Sequence, residues 1–312
     1  MIDRAHIHQV AETLAPFVRR TPAIALPPGT FGLPCSLVIK LESLQHAGSF
    51  KARGAFAKLL ASEVPPAGVA AASGGNHGIA VAHAARVRGV PAEIFVHANT
   101  APAKRARLAA LGAKVHVCGT SYAEAEAACR QHVERAGASF VPAFDDPTVV
   151  AGQGTLAREL EQQAKLDTLL LSVGGGGLLA GCAAWYRGEV RIIGVETTGT
   201  ASLHRALAAG QPVDVDVGGL AADALGAKRI GALPFQIAKE LVHDSLLIDD
   251  DSLRRAQHAL WTELRVGSEP AAAAGLAALL TGVYRPAAEE RVGIVVCGAN
   301  VDPASLSQVA VA

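Results

Sequence analysis

Short apolar segments alternate along this chain with longer stretches in which apolar residues recur at helical spacing. The short segments have the length of buried strands, and the longer ones have the length of helices. This alternation predicts an α/β fold with mainly parallel sheets covered by helices. Strands are predicted at 37–41, 69–72, 93–96, 115–117, 168–173, 191–195 and 292–297. Helices are predicted at 50–61, 77–88, 101–111, 121–136, 152–163 and 252–263, with a buried helix at 271–280.

Composition narrows the class of protein. The chain has 312 residues, 50% hydrophobic and 18% charged, enough to bury the cores of about two domains. Its 28 basic and 28 acidic residues give a formal net charge of zero, which argues against a nucleic-acid-binding protein. A polar N-terminus and the lack of any apolar run of about 18 residues predict neither a signal peptide nor a membrane span. Five cysteines without a Cys-x-x-Cys pair indicate a reducing compartment, so we expect a cytoplasmic protein.

Lys51 stands where a helix is expected to begin, shortly after a predicted strand. The helix dipole disfavours a cation in the first turn and therefore lowers the pKa of an amine there. A neutral amine can attach covalently to a carbonyl cofactor or substrate as a Schiff base. From these residues alone, an ordinary solvated lysine remains the alternative.

Two further segments join a strand to a helix through small residues. The first consists of Ser73, Gly74, Gly75, Asn76 and His77. It would present backbone N–H groups to a carboxylate or phosphate, although a capped turn has the same residue types. The second consists of Gly174, Gly175, Gly176 and Gly177. Four glycines allow a phosphate to approach the backbone closely, and Glu196, about 20 residues on, keeps dinucleotide binding open as an alternative.

Cys297 ends a predicted buried strand and is followed by a glycine. A cysteine in such a place is commonly a small core residue. It can also offer a weak, neutral hydrogen-bonding group to a ring nitrogen.

In this order, the segments around Lys51, Ser73, Gly174 and Cys297 resemble the pyridoxal-phosphate (PLP) enzymes of fold type II, the tryptophan synthase beta-like fold. Within that family they are most similar to the serine/threonine dehydratase and serine racemase group. The resemblance covers nearly the whole chain and implies two α/β domains with the cofactor between them. It implies a small domain of residues 46–142 and a discontinuous large domain of residues 1–45 and 143–312. It also implies a homodimer that acts on a small-molecule amino acid.

The resemblance further implies roles for individual residues. Lys51 is similar to the family's Schiff-base lysine, and Phe50 and Ala224 to the residues that cover the two faces of the cofactor. The glycines from Gly174 to Gly177 match the phosphate loop, and Asn76 matches the amide that bonds the cofactor's phenolic oxygen. The substrate carboxylate is expected on Ser73, Gly74, Gly75, Asn76 and His77. Cys297 falls where the family places a Ser or Cys against the pyridine nitrogen.

Cys297 also bears on the reaction. A thiol with a pKa of about 8.5 cannot keep a pyridine nitrogen protonated at neutral pH, as an aspartate would. The weaker electron sink favours loss of a group at Cβ, with Lys51 as the base that takes the Cα proton. The expected activity is that of a lyase, a threonine/serine dehydratase (ammonia-lyase) that makes a 2-oxo acid and ammonia. The alternatives are a serine racemase-type isomerase, disfavoured by Gly74 where racemases carry a proton-donating serine, and a β-replacement synthase such as O-acetylserine sulfhydrylase.

The resemblance also implies a cation site. Racemase-like members hold a divalent ion with two carboxylates, but Ser202 replaces the second one here. The pattern is closer to the serine dehydratase site, where mostly backbone oxygens hold a monovalent ion such as potassium. Its residues would be Gly174, Glu196, Thr200, Ser202, Leu225 and Ala227. One carboxylate among neutral oxygens suits a low-charge ion, and the alternative is that Glu196 caps a strand and no ion binds.

Overall fold

The computed structural model describes residues 2–302 as alternating strands and helices, which confirms the predicted α/β fold. The strands are β1 Ala23–Leu26, β2 Ser36–Lys40, β3 Val69–Ala72, β4 Ala92–Val96, β5 Lys114–Val117, β6 Ser139–Phe140, β7 Thr168–Ser172, β8 Arg191–Thr197, β9 Asp244–Ile248 and β10 Arg291–Val295. The helices are α1 Arg4–Leu14, α2 Lys51–Leu60, α3 Asn76–Arg88, α4 Pro102–Ala110, α5 Tyr122–Ala136, α6 Pro147–Glu161, α7 Gly177–Tyr186, α8 Ser202–Ala209, α9 Ala222–Leu225, α10 Ala232–Leu241, α11 Asp250–Leu264 and α12 Ala274–Leu280.

The larger sheet has the strand order β1-β2-β10-β7-β8-β9. Only the β1–β2 pair is antiparallel, and Ile294 of β10 lies between Ile39 of β2 and Leu170 of β7. These central strands are almost continuously apolar, as expected of parallel strands that are buried on both faces. Helices α7 and α12 pack on this sheet, with α6 and α10 against α7 and α11 against α12.

The smaller sheet is wholly parallel in the order β5-β4-β3-β6. Helices α3 and α5 pack on it, and all four strands lie within the predicted small domain of residues 46–142. The rest of the predicted large domain carries the other sheet, except that residues 303–312 lie outside the described part of the chain. Two helices lie between the two sheets. Helix α2 packs on α3, which covers the smaller sheet, and on α6, which belongs to the larger domain. Helix α1 packs on α6, and its last residue, Leu14, is buried in the core of the smaller sheet. The exact domain boundaries stay a prediction.

Three strands have no strong pattern in the sequence. The edge strand β1 is short and is followed by Pro27, and β6 has only two residues. Edge strand β9 begins with the exposed Asp244 and is only partly buried. Strands of this kind lack the long apolar run that marks a buried one.

Helix α6 begins five residues before the predicted start at Gly152. The side chain of Asp146 caps it by accepting hydrogen bonds from the N–H groups of Thr148 and Val149, and Pro147 occupies the first turn. Gly152 lies inside the helix, where a Cβ would come within 2.6 Å of the Cβ of Ala57 on α2. The glycine thus marks a close helix contact rather than a helix start.

The predicted buried helix at 271–280 is two elements, a 3-10 turn at Pro270–Ala273 followed by α12. No helix among residues 2–302 is both long and apolar enough to cross a membrane.

Candidate active site

Lys51 is the first residue of α2, and the segment before it is tied to the segment after β10. The N–H of Phe50 donates to the carbonyl of Cys297 at 3.0 Å, and Ser49 forms an isolated bridge with Gly298. Gly48 has φ 73°, and a Cβ there would lie 2.4 Å from Oδ1 of Asn300. The two segments therefore fix Lys51 close to Cys297.

The Lys51 side chain is partly buried. Its Nζ donates to the carbonyl of Ala143 at 2.8 Å and lies 5.2 Å from the centre of the Phe50 ring. Burial lowers the pKa of Lys51 to about 8, because the charged form loses water. A useful fraction of the amine is then neutral and nucleophilic at physiological pH.

His77 lies in the first turn of α3, and its ring faces inward. Its Nε2 is 2.8 Å from the carbonyl of Val141, so this nitrogen carries the proton and donates it. Burial, aided by the charge of Lys51, lowers the pKa of His77 to about 3. The ring is therefore neutral and already bonded, and only the backbone of His77 remains for the substrate contact expected from the sequence.

The loop from Ser73 to Asn76 joins β3 to α3. The N–H of Ser73 donates to the carbonyl of Phe95, and its Oγ accepts from the N–H of Gly75 at 3.2 Å. Asn76 opens α3, so its N–H and those of the next residues point out of the first turn, where an anion is favoured. The charge of Lys51 acts on the His77 ring, so the structure brings this loop, the start of α3 and Lys51 together, and this region is called the cleft below.

Asn76 is held by two residues that the sequence reasoning missed. Its Nδ2 donates to both carboxylate oxygens of Glu269, at 3.0 and 2.9 Å, and its Oδ1 accepts from Nδ2 of Asn300 at 2.6 Å. The N–H of Asn300 also donates to Glu269 at 2.8 Å. Burial raises the pKa of Glu269. The sequence does contain a signal for Glu269, because an acidic residue stands directly before the apolar segment 270–280. A carboxylate next to a buried segment is uncommon unless it has a partner.

Gly174, Gly175 and Gly176 lie between β7 and α7, and Gly177 is the first residue of α7. Gly176 has φ 89°, and a Cβ there would meet Cβ of Pro234 at 2.8 Å. A Cβ on Gly175 would fall 2.1 to 2.4 Å from the ring atoms of Phe144, and Gly177 also packs on that residue. Glycine is therefore required at Gly175 and Gly176, because neighbouring protein atoms occupy the space that a side chain would need.

The segment at Ala143 and Phe144 was also missed by sequence reasoning. It contacts both Lys51 and the glycine loop. The carbonyl of Ala143 accepts a hydrogen bond from Nζ of Lys51, and the ring of Phe144 packs on Gly175. No sequence motif marks it. Its role depends on the contact of segments far apart in the chain.

Cys297 lies at the base of the cleft and is buried. Burial raises the pKa of its thiol to about 12, and the nearby Glu269 charge acts in the same direction. The thiol therefore stays protonated across the physiological range, which agrees with the neutral group expected from the sequence.

Helix α9 lies against both the glycine loop and the loop after β3. The carbonyl of Ala224 would lie 3.5 Å from a Cβ on Gly174, and the carbonyl of Asp223 would lie 3.8 Å from one on Gly75. The carboxylate of Asp223 also pairs with Lys104 of α4 across the cleft, at 2.5 Å. Ala224 is thus placed between the glycine loop and the loop after β3.

The residues expected to bind a cation gather at the start of α8. Oγ of Ser202 donates to the carbonyl of Gly174 at 3.0 Å and lies 3.2 Å from Oε1 of Glu196. Glu196 accepts from the N–H groups of Leu203 and His204 at 2.8 Å, and burial raises the pKa of its carboxyl to about 7.

The other three expected cation ligands lie around this cluster. Leu225 packs on Gly174, and the N–H of Ala227 donates to the carbonyl of Leu225. The hydroxyl of Thr200 instead bonds within its own turn, to Thr197. No cluster of three His, Cys, Asp or Glu side chains suited to a metal ion occurs between residues 2 and 302.

Comparison with known proteins gives consistent matches. The family model described as "Pyridoxal-phosphate dependent enzyme" matches residues 14–298. A biosynthetic L-threonine dehydratase of Pasteurella multocida is 40% identical over 77% of this chain and 48% of its own length. A phenylserine dehydratase of Ralstonia pickettii is 34% identical over 98% of this chain and 95% of its own. The structure of maize serine racemase is 31% identical and superposes with a TM-score of 0.92, covering 98% of this chain and 96% of that one. The chain thus spans about half the length of the first relative and nearly all of the other two.

Proposed function

The chain belongs to the pyridoxal-phosphate-dependent enzyme family, and from that premise we propose that it removes the β-hydroxyl group of a β-hydroxy amino acid, L-threonine or L-serine. The products are a 2-oxo acid and ammonia. One observation carries the proposal: the buried Lys51 amine, with its pKa lowered to about 8, shares a cleft with a protonated Cys297 thiol. The biosynthetic threonine dehydratase and the phenylserine dehydratase that resemble this chain are named for reactions of this class.

The residues of the cleft fit pyridoxal phosphate. Lys51 would hold the cofactor aldehyde, because its amine is partly buried and partly neutral. The loop from Gly174 to Gly177 would hold the phosphate, because it leads into the N-terminus of α7, where backbone N–H groups favour an anion. Asn76 would donate to the cofactor's phenolic oxygen in place of one of its two hydrogen bonds to Glu269. Cys297 would face the ring nitrogen with a neutral S–H.

The proposed chemistry divides between cofactor and protein. When bound, the cofactor supplies the electron-withdrawing ring that makes the Cα proton acidic. Lys51 then takes that proton as a general base, and the bond from Cβ to the hydroxyl oxygen breaks with loss of water. Hydrolysis of the released enamine takes up one water and gives the 2-oxo acid and ammonia. The water lost in the elimination and the water used in the hydrolysis cancel in the overall reaction. Because its thiol stays protonated, Cys297 itself offers no negative charge that would favour a protonated ring nitrogen.

The test is a substitution at Lys51 paired with one at an exposed lysine. Lys51→Ala should give a colourless protein that forms no 2-oxo acid from threonine or serine. Lys165 is exposed, so the control variant Lys165→Ala should behave as the wild type. Substrate choice is read from a panel of threonine, serine, phenylserine and hydroxyaspartate scored by 2-oxo acid release. A Lys51→Ala variant with turnover comparable to the wild type contradicts the proposal.

A racemase is the second candidate, favoured by the close superposition on maize serine racemase. Racemisation needs an acid on the second face of the Cα, and Gly74 offers no side chain for it. We therefore propose elimination as the main activity. Incubation of L-serine with the holoenzyme distinguishes the two, since D-serine formed faster than pyruvate would favour the racemase.

We propose a monovalent cation, potassium, beside the glycine loop. It is supported by the hydroxyl of Ser202, which lies within hydrogen-bonding distance of both the Gly174 carbonyl and the Glu196 carboxylate. That carboxylate has no basic side chain among its described contacts. Replacing potassium with tetramethylammonium should lower activity. Equal activity in both salts argues that Glu196 serves only to cap α8.

We also propose that the enzyme is a cytoplasmic homodimer with the small domain at residues 46–142. The five cysteines, all free in the structure, support a reducing compartment. Light scattering of the purified holoenzyme tests the dimer, and fractionation of the source cells tests the compartment.

A further inference from the structure

Thr100 is a buried residue in the turn between β4 and α4, and it lies against the loop from Ser73 to His77. Its main chain is fully engaged, because its N–H donates to the carbonyl of His97 and its carbonyl accepts from Nε of Arg105 at 2.8 Å. The residue is 6% exposed. Its Oγ1 is buried and has no hydrogen-bond partner among the residues that the structure describes.

The Thr100 side chain faces Gly74. A Cβ on Gly74 would lie 2.5 Å from Cγ2 of Thr100 and 3.1 Å from its Oγ1. The neighbouring Gly75 differs, because a Cβ there would meet nothing closer than the carbonyl of Asp223 at 3.8 Å. Thr100 is therefore the reason why position 74, and not position 75, tolerates no side chain.

The unpartnered hydroxyl indicates that shape alone does not account for Thr100. Valine would fill the same space without the cost of burying a hydroxyl that has no partner. The hydroxyl lies beside Gly74, two residues before the 13-residue helix α3 begins, and the backbone N–H groups at such a helix start favour a carboxylate. A buried hydroxyl without a hydrogen-bond partner is costly, so we expect the Thr100 hydroxyl to gain a partner when a ligand is bound.

We propose that Thr100 is a positioning residue for the substrate carboxylate, an inference that rests on the proposed elimination reaction. Its methyl group fixes the backbone of Gly74, and its hydroxyl bonds a peptide group of the loop once the carboxylate of the amino acid has drawn the loop's N–H groups to it. Thr100 acts on the substrate only through the loop.

The contact between the Thr100 methyl group and Gly74 is tested by a double-mutant cycle. Gly74→Ala should raise KM for threonine by about tenfold or more and lower the melting temperature. Adding Thr100→Ser, which removes the clashing methyl group and keeps the hydroxyl, should recover most of both. Gly75→Ala is the matched control, because its effect should be the same with Thr or Ser at position 100. Equal effects of Gly74→Ala in the two backgrounds overturn the steric role.

The hydroxyl is tested by Thr100→Val, which keeps the shape. We expect KM to rise about tenfold, kcat to stay within about twofold and the melting temperature not to fall. A second readout uses ligands that cannot react: the holoenzyme should bind L-alanine about tenfold more weakly, but ethanolamine, which has no carboxylate, equally well. Wild-type KM and wild-type alanine affinity in Thr100→Val overturn the inference.

The two proposals fail in different ways. If the wild-type holoenzyme releases no 2-oxo acid from the whole substrate panel, the proposed reaction is wrong. The alanine and ethanolamine affinities then still decide the role of Thr100. If the wild type is active and Thr100→Val is indistinguishable from it, the reaction stands and the role of Thr100 is wrong.

Discussion

Replacing Arg53 with methionine should destabilise the protein far more than removal of an exposed arginine. The Arg53 guanidinium is buried two residues after Lys51 and donates to both oxygens of Glu42, at 2.8 and 2.7 Å. It also reaches Glu159 at 3.1 Å, whose other oxygen pairs with the buried Lys40. This network joins the start of α2 to the end of β2 and to α6.

The size of the effect follows from the burial of Glu42. Burial alone would raise the pKa of Glu42, but the charge and hydrogen bonds of Arg53 outweigh it and keep the pKa below its usual value. Without Arg53 a buried carboxylate loses its main partner, which costs about 3–5 kcal/mol. The exposed pair of Arg254 and Asp251 is the control, and Arg254→Met should cost less than about 1 kcal/mol.

The pH dependence has a defined sign. In the wild type the lowered pKa of Glu42 contributes stability above its unfolded value, and this contribution is lost as the pH falls. In Arg53→Met the pKa of Glu42 should be raised instead, so stability falls as the pH rises through the new value. The difference in unfolding free energy between the two proteins should therefore be small at acidic pH and grow as the pH rises above the ordinary carboxyl pKa of about 4.3.

Urea unfolding followed by circular dichroism at several pH values measures this difference. The double variant Arg53→Met with Glu42→Gln should recover part of the loss, because no charge is left unpaired on position 42. A cost below about 1 kcal/mol, or one that does not change with pH, refutes the reasoning.

Three further predictions concern the cleft. The rate of pyridoxal-phosphate uptake by the cofactor-free protein should rise with pH through about 8, where Lys51 loses its proton, and a flat profile in stopped-flow absorbance contradicts this. Gly175→Ala should weaken cofactor affinity at least about tenfold, because its Cβ would overlap the Phe144 ring, whereas Gly218→Ala has open space and should bind as the wild type in a fluorescence titration. Cys297→Ser should keep most of kcat because a hydroxyl is also neutral, whereas Cys297→Asp should lower kcat about tenfold or more. Similar kcat values for the two variants in a 2-oxo acid assay would show that the charge at this position is unimportant.

The parts of the site that can be read from the sequence are those built by local backbone. Lys51 at the start of a helix, the loop at Ser73 and the glycines from Gly174 each depend on a strand followed directly by a turn and a helix. Such units carry their residue types in one short segment, so their place in the fold follows from the pattern. The α/β fold and most of the buried strands are predictable for the same reason.

The remaining parts depend on contacts between distant segments. Glu269 holds Asn76 across 193 residues of chain, and Phe144 packs on the glycine loop without any motif of its own. Thr100 faces Gly74 only because β3 and β4 are neighbours in the smaller sheet. One sequence carries no direct record of such pairs. The early start of α6 has a local signal, Asp146 followed by Pro147, but the glycines further along the helix obscure it.

Helix α1 contributes side chains to the cores of both sheets, although it precedes all of the strands in the chain. Ile7 of this helix is buried in the larger core, while Leu14 is buried in the smaller one, and Phe17 just beyond it lies 5.5 Å from the ring of Phe56. A fragment cut at residues 46–142 would therefore lack part of its own interior and expose the apolar face of α2. The core of the smaller sheet is thus completed by residues that precede β1 in the chain, so the segment 46–142 does not contain the whole of the core on which its own sheet packs.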